Sequence, residues 1–324
     1  MTDAAGGTRA NPAALSRIFY RTSRVTAAFD DIRHLINDGW EEHYCKALPL
    51  FGPPGCGKTH ILNNYAPECA PEARIRIIEV EQGCTLKRFT TNVLNGLDDP
   101  DPGYFPRESQ AEMAKRAADG AKRLRLDALA FEEFHRLIDW KTDRVNKDVG
   151  DWVTGFLNQR ACPLILVGEM SAMRVLNSNP MLDRRCLPKH LLVPLDYGLD
   201  QDRTDFRGLL HTIDRQLGFE RLSGLGKPDT AKRIYAYCRG LPRLAADLVA
   251  EARHLARMRG LPCLNHDVLA LAVDRFTIGK PEAGPNPFRS DEPPDADPAP
   301  LLAQADSAAP AERRGRPRRP YPDA

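Results

Sequence analysis

The feature that most constrains the fold of this chain is the segment over residues 52–59, which reads G-P-P-G-C-G-K-T. An apolar run at 47–51 precedes it, and a helical pattern with Ile61, Leu62 and Tyr65 follows it. Glycines at a turn from a strand into a helix let backbone N–H groups point inward, at a helix end whose dipole favours an anion. The segment therefore predicts a phosphate-binding loop at the edge of a sheet.

The last two residues of the motif predict a nucleotide together with its metal ion. In P-loop proteins the lysine binds the β- and γ-phosphates, and the hydroxyl residue binds Mg²⁺. We therefore expect Lys58 to contact the phosphates and Thr59 to contact Mg²⁺. The predicted nucleotide-binding residues of the loop are Gly52, Pro53, Pro54, Gly55, Cys56, Gly57, Lys58 and Thr59.

A second acidic site narrows the range of candidate activities, because kinases, GTPases and ATPases all share the phosphate-binding loop. The run at 128–131 is typical of a buried strand, and Glu132 and Glu133 follow it. P-loop ATPases place an aspartate at the first position for Mg²⁺ and often a glutamate at the second for water activation. Since glutamate is the longer side chain, Glu132 is expected to reach Mg²⁺ through a bound water, which predicts slow ATP hydrolysis. Glu133 is the candidate general base, and the alternative is a pair of solvated acids at a strand end.

Periodicity predicts an α/β fold with a mostly parallel sheet flanked by helices, because short apolar runs alternate with helical patterns. The strand-like runs lie at 47–51, 75–80, 128–131, 164–167 and 191–193. After residue 200 the apolar period is helical. The apolar face there comprises Phe206, Leu209, Leu210, Ile213 and Leu217, and further helices are predicted at 230–239, 244–259 and 267–276.

These patterns divide the chain into four predicted parts. They are a flexible N-terminus at 1–17, an α/β nucleotide-binding domain at 18–195, a small helical lid domain at 196–280 and a disordered tail at 281–324. The tail holds eleven of the 27 prolines and few large apolar residues, so it cannot bury enough surface to offset its ordering entropy.

The end of the tail carries a short basic motif, in which Arg314 and Arg318 flank a Gly-Arg-Pro core that contains Arg316. This motif is similar to an AT-hook. A narrow A·T-rich minor groove concentrates negative potential and admits an extended arginine-bearing strand, so the motif predicts a DNA contact. The alternative is a basic end that improves solubility or binds phosphates without selectivity.

Composition excludes several classes of protein. Hydrophobic residues make up 42% and charged residues 28% of the chain, which are ordinary globular values. No apolar run approaches the roughly 20 residues that span a bilayer, so a cytoplasmic protein without a membrane partner is expected. The eight cysteines form no C-x-x-C pair, which argues against a disulfide framework or a structural zinc site.

Five further segments, in order along the chain, carry a resemblance to a known family. They are F-E-E-F-H-R-L at 131–137, D-W-V-T-G-F-L-N at 151–158, P-L-I-L-V-G at 163–168, M-L-D-R-R at 181–185 and G-L-P-R-L at 240–244. With the loop, the series resembles the AAA+ ATPases of the TniB/TnsC family, the ATP-dependent regulators of DDE transposases, over about residues 19–276. The chain departs from the family pattern at Glu132, at Glu169 and Met170 after the glycine, and at Arg184 with Arg185.

The resemblance implies an ATP-bound ring or helical filament wound on double-stranded DNA, with nucleotide between protomers. Arg185 then aligns with the arginine supplied in trans, with Arg184 in reserve, and Arg243 resembles the lid arginine that senses the γ-phosphate. Loops that line the DNA-facing channel in the family correspond here to Lys87, Arg88, Lys141, Arg144 and Lys147. For these five residues ordinary solvated charge is an equal alternative, since phosphate neutralisation needs only basic side chains.

The function expected from the sequence is that of a DNA-dependent regulatory ATPase that assembles on target DNA, recruits a DDE transposase and disassembles on hydrolysis. A TniQ-like target-selection protein is a further candidate partner. The alternatives are a helicase loader or replication initiator, and a nucleotide-dependent switch without nucleic acid. The segment at 20–24 is a candidate to hold the adenine, whereas His135 and Trp140 are assigned no chemistry.

Overall fold

The computed structural model describes residues 15, 18–102, 108–138, 143–279 and 284–294. Lys141 and the basic tail residues Arg314, Arg316 and Arg318 lie outside the described residues. Within the described ranges, no helix is both long enough and apolar enough to cross a membrane.

Five parallel strands form one sheet with the order β2-β3-β4-β1-β5. The strands are β1 (Ala47–Phe51), β2 (Ile75–Glu79), β3 (Ala128–Glu132), β4 (Leu164–Gly168) and β5 (His190–Leu191). The predicted α/β class with a parallel sheet is confirmed. The last strand differs slightly from its predicted position at 191–193, because only His190 and Leu191 pair with β1.

Helices cover both faces of the sheet and then form a separate bundle. The helices are α1 (Ser23–Asp38), α2 (Lys58–Cys69), α3 (Leu86–Gly96), α4 (Gln110–Arg123), α5 (Asp143–Asn158), α6 (Met173–Ser178), α7 (Pro180–Arg185), α8 (Asp200–Arg215), α9 (Pro228–Cys238), α10 (Pro242–Met258) and α11 (His266–Thr277). Short 3₁₀ turns at Phe134–Leu137 and Met170–Ala172 follow β3 and β4.

Two hydrophobic clusters lie on the two faces of the sheet, because successive strand residues point to opposite sides. On one face, Phe131 of β3 packs edge-on against Phe89 of α3, and Phe89 packs against Trp152 of α5, each pair at 5.0 Å between ring centroids. On the other face, Phe29 of α1 meets Tyr65 of α2 at 5.4 Å. Both clusters are buried, so packed helices support the sheet on both of its faces.

Helices α8 to α11 enclose a third hydrophobic cluster, and a close backbone contact lies between this bundle and the residues that follow β5. The amide of Leu195 donates to the carbonyl of Gly240 at 3.1 Å. Gly240 has a φ of +77°, and a Cβ there would lie 1.9 Å from the carbonyl oxygen of Leu195. Only glycine fits this position, which fixes the bundle beside β5.

Two described parts of the chain near its ends, Leu15 and residues 284–294, pack against the helical bundle. Leu15 is 4% exposed and Phe288 is 7% exposed, and both belong to the bundle's core. The buried guanidinium of Arg233 donates to the carbonyls of Pro287 at 2.7 Å, Ser290 at 2.8 Å and Asp291 at 2.9 Å. One buried cation therefore orders a proline-rich segment whose composition alone predicts disorder.

Replacing that cation with a side chain of similar length tests its role. Arg233→Met leaves the three carbonyls without their donor, so we expect a loss of about 1–3 kcal/mol in the free energy of unfolding and faster amide exchange at 284–294. Urea denaturation and hydrogen exchange measure the two effects. Arg259→Met, at an exposed position of the same bundle, is the control and should change stability by less than about 0.5 kcal/mol. Unchanged exchange at 284–294 in Arg233→Met would contradict the assignment.

Candidate nucleotide site

The loops that follow β1, β3 and β4 meet at one edge of the sheet, because the strands are parallel and their carboxyl ends coincide. A cavity of about 720 Å³ opens at this edge, between the sheet and the helical bundle. Its polar end is lined by residues 54–60 with Glu133 and Glu169, and its bundle side by residues 241–244. The predicted phosphate-binding loop therefore lies in a cavity that also contains the candidate base.

The phosphate-binding loop has the backbone that its glycines predict. Gly55 and Gly57 have φ values of +85° and +94°, in the left-handed region that favours glycine. Lys58 begins α2, and its ammonium donates to the carbonyls of Gly52 at 2.8 Å and Pro53 at 2.9 Å. Burial lowers the pKa of Lys58, opposed by the nearby Cys56 thiol and by the cavity carboxylates. The loop thus holds one buried positive charge at the start of a helix, where phosphate oxygens are favoured.

Thr59 and Glu132 bring two oxygen donors together beside the loop. The Thr59 hydroxyl donates to the Glu132 carboxylate at the end of β3. Burial raises the pKa of Glu132, as do the neighbouring carboxylates Glu133 and Glu79, whereas the Thr59 hydrogen bond lowers it. A hydroxyl and a carboxylate are ligands that Mg²⁺ accepts. The donor set therefore fits the predicted metal, and adjacent carboxylates provide the negative charge that attracts a cation.

Glu133 has an unusual backbone that turns its side chain toward the cavity. Its φ is +56°, in the left-handed region that few non-glycine residues adopt. Its carboxylate lies 3.6 Å from Nε2 of His135 and 3.6 Å from Nε of Arg136. The predicted general base therefore lies between two potential donors in the following 3₁₀ turn, at a position of local strain that is typical of functional sites.

His135 and Glu169 are site residues that the sequence reasoning missed. His135 is 6% exposed, and its Nδ1 accepts a hydrogen bond from the amide of Glu169 at 3.3 Å. The Glu169 carboxylate lines the cavity and lies 3.6 Å from Nε2 of His135. The histidine in the F-E-E-F-H-R-L segment at 131–137 was the available signal, but its partner Glu169 follows another strand.

Arg243 approaches the phosphate-binding loop from the bundle. Its amide donates to the carbonyl of Gly55 at 3.3 Å, at the N-terminal end of α10. Its guanidinium is exposed and donates to both carboxylate oxygens of Asp247, at 3.0 Å and 2.9 Å. The predicted lid arginine thus lines the cavity, with its charge held by a side chain one helical turn away.

Arg184 and Arg185 lie on α7 and do not line the cavity of their own chain. The guanidinium of Arg185 lies over the ring of Tyr44, 5.0 Å from its centroid. Its Nη1 is buried without a hydrogen-bond partner in the part of the chain that the structure describes. Arg184 is exposed. An action of either arginine on nucleotide therefore requires a second protomer.

The other end of the cavity is apolar and is built partly by the N-terminal segment. The apolar lining comprises Leu15, Ile18, Phe19, Val25, Leu192, Leu195, Leu209 and Ile213. Tyr20, Thr22 and Arg24 of the predicted adenine-binding segment line it too. Arg24 pairs with Asp202 of α8 and donates to the carbonyl of Val193 at 3.1 Å, which ties this segment to the bundle.

The candidate DNA-binding residues follow two neighbouring strands of the sheet. Lys87 and Arg88 are exposed in the first turn of α3, after β2, and Nε of Arg88 lies 2.7 Å from Glu81. Arg144 and Lys147 are exposed on α5, after β3. Since β2 and β3 are adjacent and parallel, both basic groups follow the same edge of the sheet as the cavity.

Comparison with known proteins supports the fold of this site. A family model described as an AAA domain matches residues 41–176. Cdc6p from Pyrobaculum aerophilum has a similar structure at 17% identity, with a TM-score of 0.59, covering 81% of this chain and 70% of that chain. The ORC1 protein of Aeropyrum pernix in complex with DNA is similar at 16% identity, with a TM-score of 0.57, covering 82% and 69%.

The ORC2 protein of Aeropyrum pernix, in ADPNP–ADP complexes, is similar at 11% identity, with a TM-score of 0.54, covering 80% of this chain and 68% of that chain. No curated protein matches the chain in sequence. The finer resemblance to the TniB/TnsC regulators rests on the sequence motifs alone. Residues 41–176 therefore match an AAA domain, and the chain shares with the similar structures an α/β fold in which helices flank a five-stranded parallel sheet.

Proposed function

We propose that the protein is an AAA+ ATPase that binds ATP with Mg²⁺, assembles on double-stranded DNA and regulates a DDE transposase. The observation that carries the ATPase part is that Lys58, Thr59 and Glu133 line one cavity together with Arg243, and that the Thr59 hydroxyl donates to Glu132 beside it. The transposase part is carried by the ordered motifs that resemble the TniB/TnsC family.

In the proposed reaction, ATP and water give ADP and phosphate. Lys58 binds the β- and γ-phosphates with the backbone amides of the loop, and the apolar end of the cavity receives the adenine. Thr59 and Glu132 would hold Mg²⁺, which would supply positive charge beside the phosphates. Glu133 orients the attacking water and takes up its proton, since its carboxylate faces the polar end of the cavity.

Assembly completes the proposed site. A neighbouring protomer supplies Arg185, or Arg184, to the γ-phosphate, where a guanidinium stabilises the charge of the transition state. Because neither arginine lines its own cavity, hydrolysis then depends on contact between protomers. Hydrolysis in turn removes the γ-phosphate that holds the interface together, which couples ATP turnover to disassembly.

A second candidate function is that of a helicase loader or replication initiator. The similarity of the fold to Cdc6p and to ORC1 in complex with DNA favours it, although identities of 17% and 16% show the fold alone. Both candidates share the ATPase site and the DNA contact by Lys87, Arg88, Arg144 and Lys147. They differ in the partner that is recruited, which is a transposase, with a TniQ-like protein, in one case and a helicase in the other.

Replacing the candidate base tests the hydrolytic mechanism. Glu133→Gln keeps the size of the side chain but removes the proton acceptor, so turnover should fall by roughly 10²- to 10⁴-fold while ATP still binds. Phosphate release and equilibrium binding of a fluorescent ATP analogue measure the two quantities. Glu42→Gln, at a side chain that is 88% exposed, is the matched control and should behave as the wild type. Near-normal turnover in Glu133→Gln would remove Glu133 from the mechanism.

Mixing two inactive variants tests whether the arginine acts in trans. Lys58→Ala lacks a functional loop and Arg185→Ala lacks the donated arginine, so each should be inactive alone. Mixed assemblies contain interfaces where an intact loop meets an intact Arg185, and these should recover part of the ATPase activity. The same mixture with Arg184→Ala compares the two arginines. If no mixing ratio recovers activity although both variants co-assemble, the assignment of Arg185 is wrong.

Electron microscopy of the protein on plasmid DNA tests the proposed function itself. With ATP, the wild type should form rings or filaments on duplex DNA, and Lys87→Ala with Arg88→Ala should weaken them more than Arg259→Ala, an exposed control on the bundle. The assemblies should then retain a DDE transposase and not a replicative helicase. Retention of the helicase alone favours the second candidate function, and no DNA-dependent assembly contradicts both.

Equilibrium DNA binding measured at several salt concentrations examines the basic tail. Deletion of residues 312–324 removes Arg314, Arg316 and Arg318, and the salt slope of log K should fall by about 0.9 for each DNA phosphate that the tail had neutralised. A larger decrease in affinity on A·T-rich than on G·C-rich duplex supports binding in the minor groove. Equal decreases indicate unselective phosphate binding, and unchanged affinity means that the tail does not bind DNA.

A further inference from the structure

The ends of two neighbouring strands are joined at the cavity by one buried side chain. Glu133 follows β3 and Glu169 follows β4, and His135 lies between them. Nε2 of His135 is 3.6 Å from a carboxylate oxygen of Glu133 and 3.6 Å from one of Glu169. With only 6% of its surface exposed, the imidazole has no room to leave this position. The proposed base therefore lies beside a fixed ring.

The hydrogen bond on the other ring nitrogen determines which way the ring presents its proton. Nδ1 accepts from the backbone amide of Glu169 at 3.3 Å, and an acceptor nitrogen carries no proton. The proton of the neutral ring is then on Nε2, which faces the two carboxylates. His135 thus offers a donor toward Glu133. The separation of 3.6 Å exceeds a formed hydrogen bond, as is common before a catalytic site tightens around its ligand.

The backbone around the ring supports this placement. Glu133 is held at a φ of +56°, so its direction depends on the turn that contains His135. At Gly168, the last residue of β4, a Cβ would lie 3.1 Å from the amide nitrogen of His135 and 3.5 Å from its Nδ1. The glycine therefore permits the close approach of the two strand ends, and the imidazole fills the space between them.

A competing donor makes the direction of Glu133 sensitive to His135. Arg136 approaches the same carboxylate oxygen of Glu133 as His135 does, with its Nε at 3.6 Å. Its Nη1 is already bonded to Glu79 at 2.7 Å and to the carbonyl of Val80 at 2.9 Å, which anchors it to the end of β2. Without a donor from His135, the carboxylate would turn toward Arg136 and away from the water that it orients.

We propose that His135 is a positioning residue for ATP hydrolysis, which holds the Glu133 carboxylate toward the cavity and links it to Glu169 at the end of β4. This inference rests on the proposed function, because Glu133 must be the base. His135 touches neither the substrate nor the metal in this role. It acts through the orientation of Glu133, so its loss lowers the rate of the chemical step and leaves nucleotide binding unchanged.

Two substitutions separate the two nitrogens of the ring. His135→Gln places an amide near the position of Nε2 and keeps a donor for the carboxylates. His135→Asn places an amide near Nδ1, which keeps the contact to the Glu169 amide but cannot reach the carboxylates. We expect His135→Asn to lower kcat on the order of 10- to 100-fold with KM and nucleotide Kd unchanged, and His135→Gln to restore kcat to within about threefold of wild type.

The controls distinguish this inference from the proposed function. Wild-type hydrolysis that Glu133→Gln abolishes establishes the base, and adding His135→Asn to Glu133→Gln should then cause no further loss. Absence of Glu133-dependent hydrolysis in the wild type overturns both proposals. Where such hydrolysis exists, a normal kcat in His135→Asn, or equal losses in the Asn and Gln variants, overturns the role of His135 alone.

A measurement on the wild type keeps the inference testable even if a variant fails to fold. Nitrogen-15 NMR of the histidine side chains distinguishes a ring with its proton on Nε2 from one with its proton on Nδ1. We expect His135 in the first form in the intact protein. A proton on Nδ1 would remove the donor from Glu133 and overturn the inference.

Discussion

The parallel alignment of β1, β3 and β4 brings the whole nucleotide site together. In a parallel sheet all carboxyl ends lie at one edge, so the loop after β1, the acids after β3 and Glu169 after β4 meet without any long-range adjustment. The register places Phe51 opposite Gly168 and Glu79 opposite Glu132. A strand that ran in the opposite direction would carry its last residue to the other edge and leave the cavity without its acid or its phosphate loop.

Electrostatics at this edge of the sheet favour a cation beside the carboxylates. Glu132, Glu133 and Glu169 surround Lys58, and each opposes the lowering of the lysine pKa by burial. When all four groups are charged, the Lys58 ammonium and the three carboxylates together leave the polar end of the cavity with a net negative charge. A divalent cation such as Mg²⁺ beside Thr59 and Glu132 would neutralise that excess, so metal and nucleotide are expected to bind together.

The helical bundle forms one side of the cavity, and its position depends on a few buried polar contacts. Asp202 is 5% exposed and accepts from Arg24 and from the amide of Asp196, and Asp205 accepts from the backbone and hydroxyl of Ser23. These contacts attach the N-terminal segment of the sheet domain to α8. Because that segment lines the apolar end of the cavity, a ligand there contacts both parts of the molecule at once.

The sequence by itself determined the features that depend on neighbours in the chain. The loop at 52–59, the buried strand before Glu132 and the helix predicted at 230–239 depend on local motifs and periodicity, which were sufficient to predict them. Three contacts were decided by the tertiary structure alone. They are the hydrogen bond between His135 and Glu169, the packing of the Arg185 guanidinium over the Tyr44 ring and the hydrogen bonds from Arg233 to residues 284–294. The physical reason is that each of these contacts joins residues separated by 34 to 141 positions, and no local pattern records which buried polar groups will face each other once the sheet and bundle have packed.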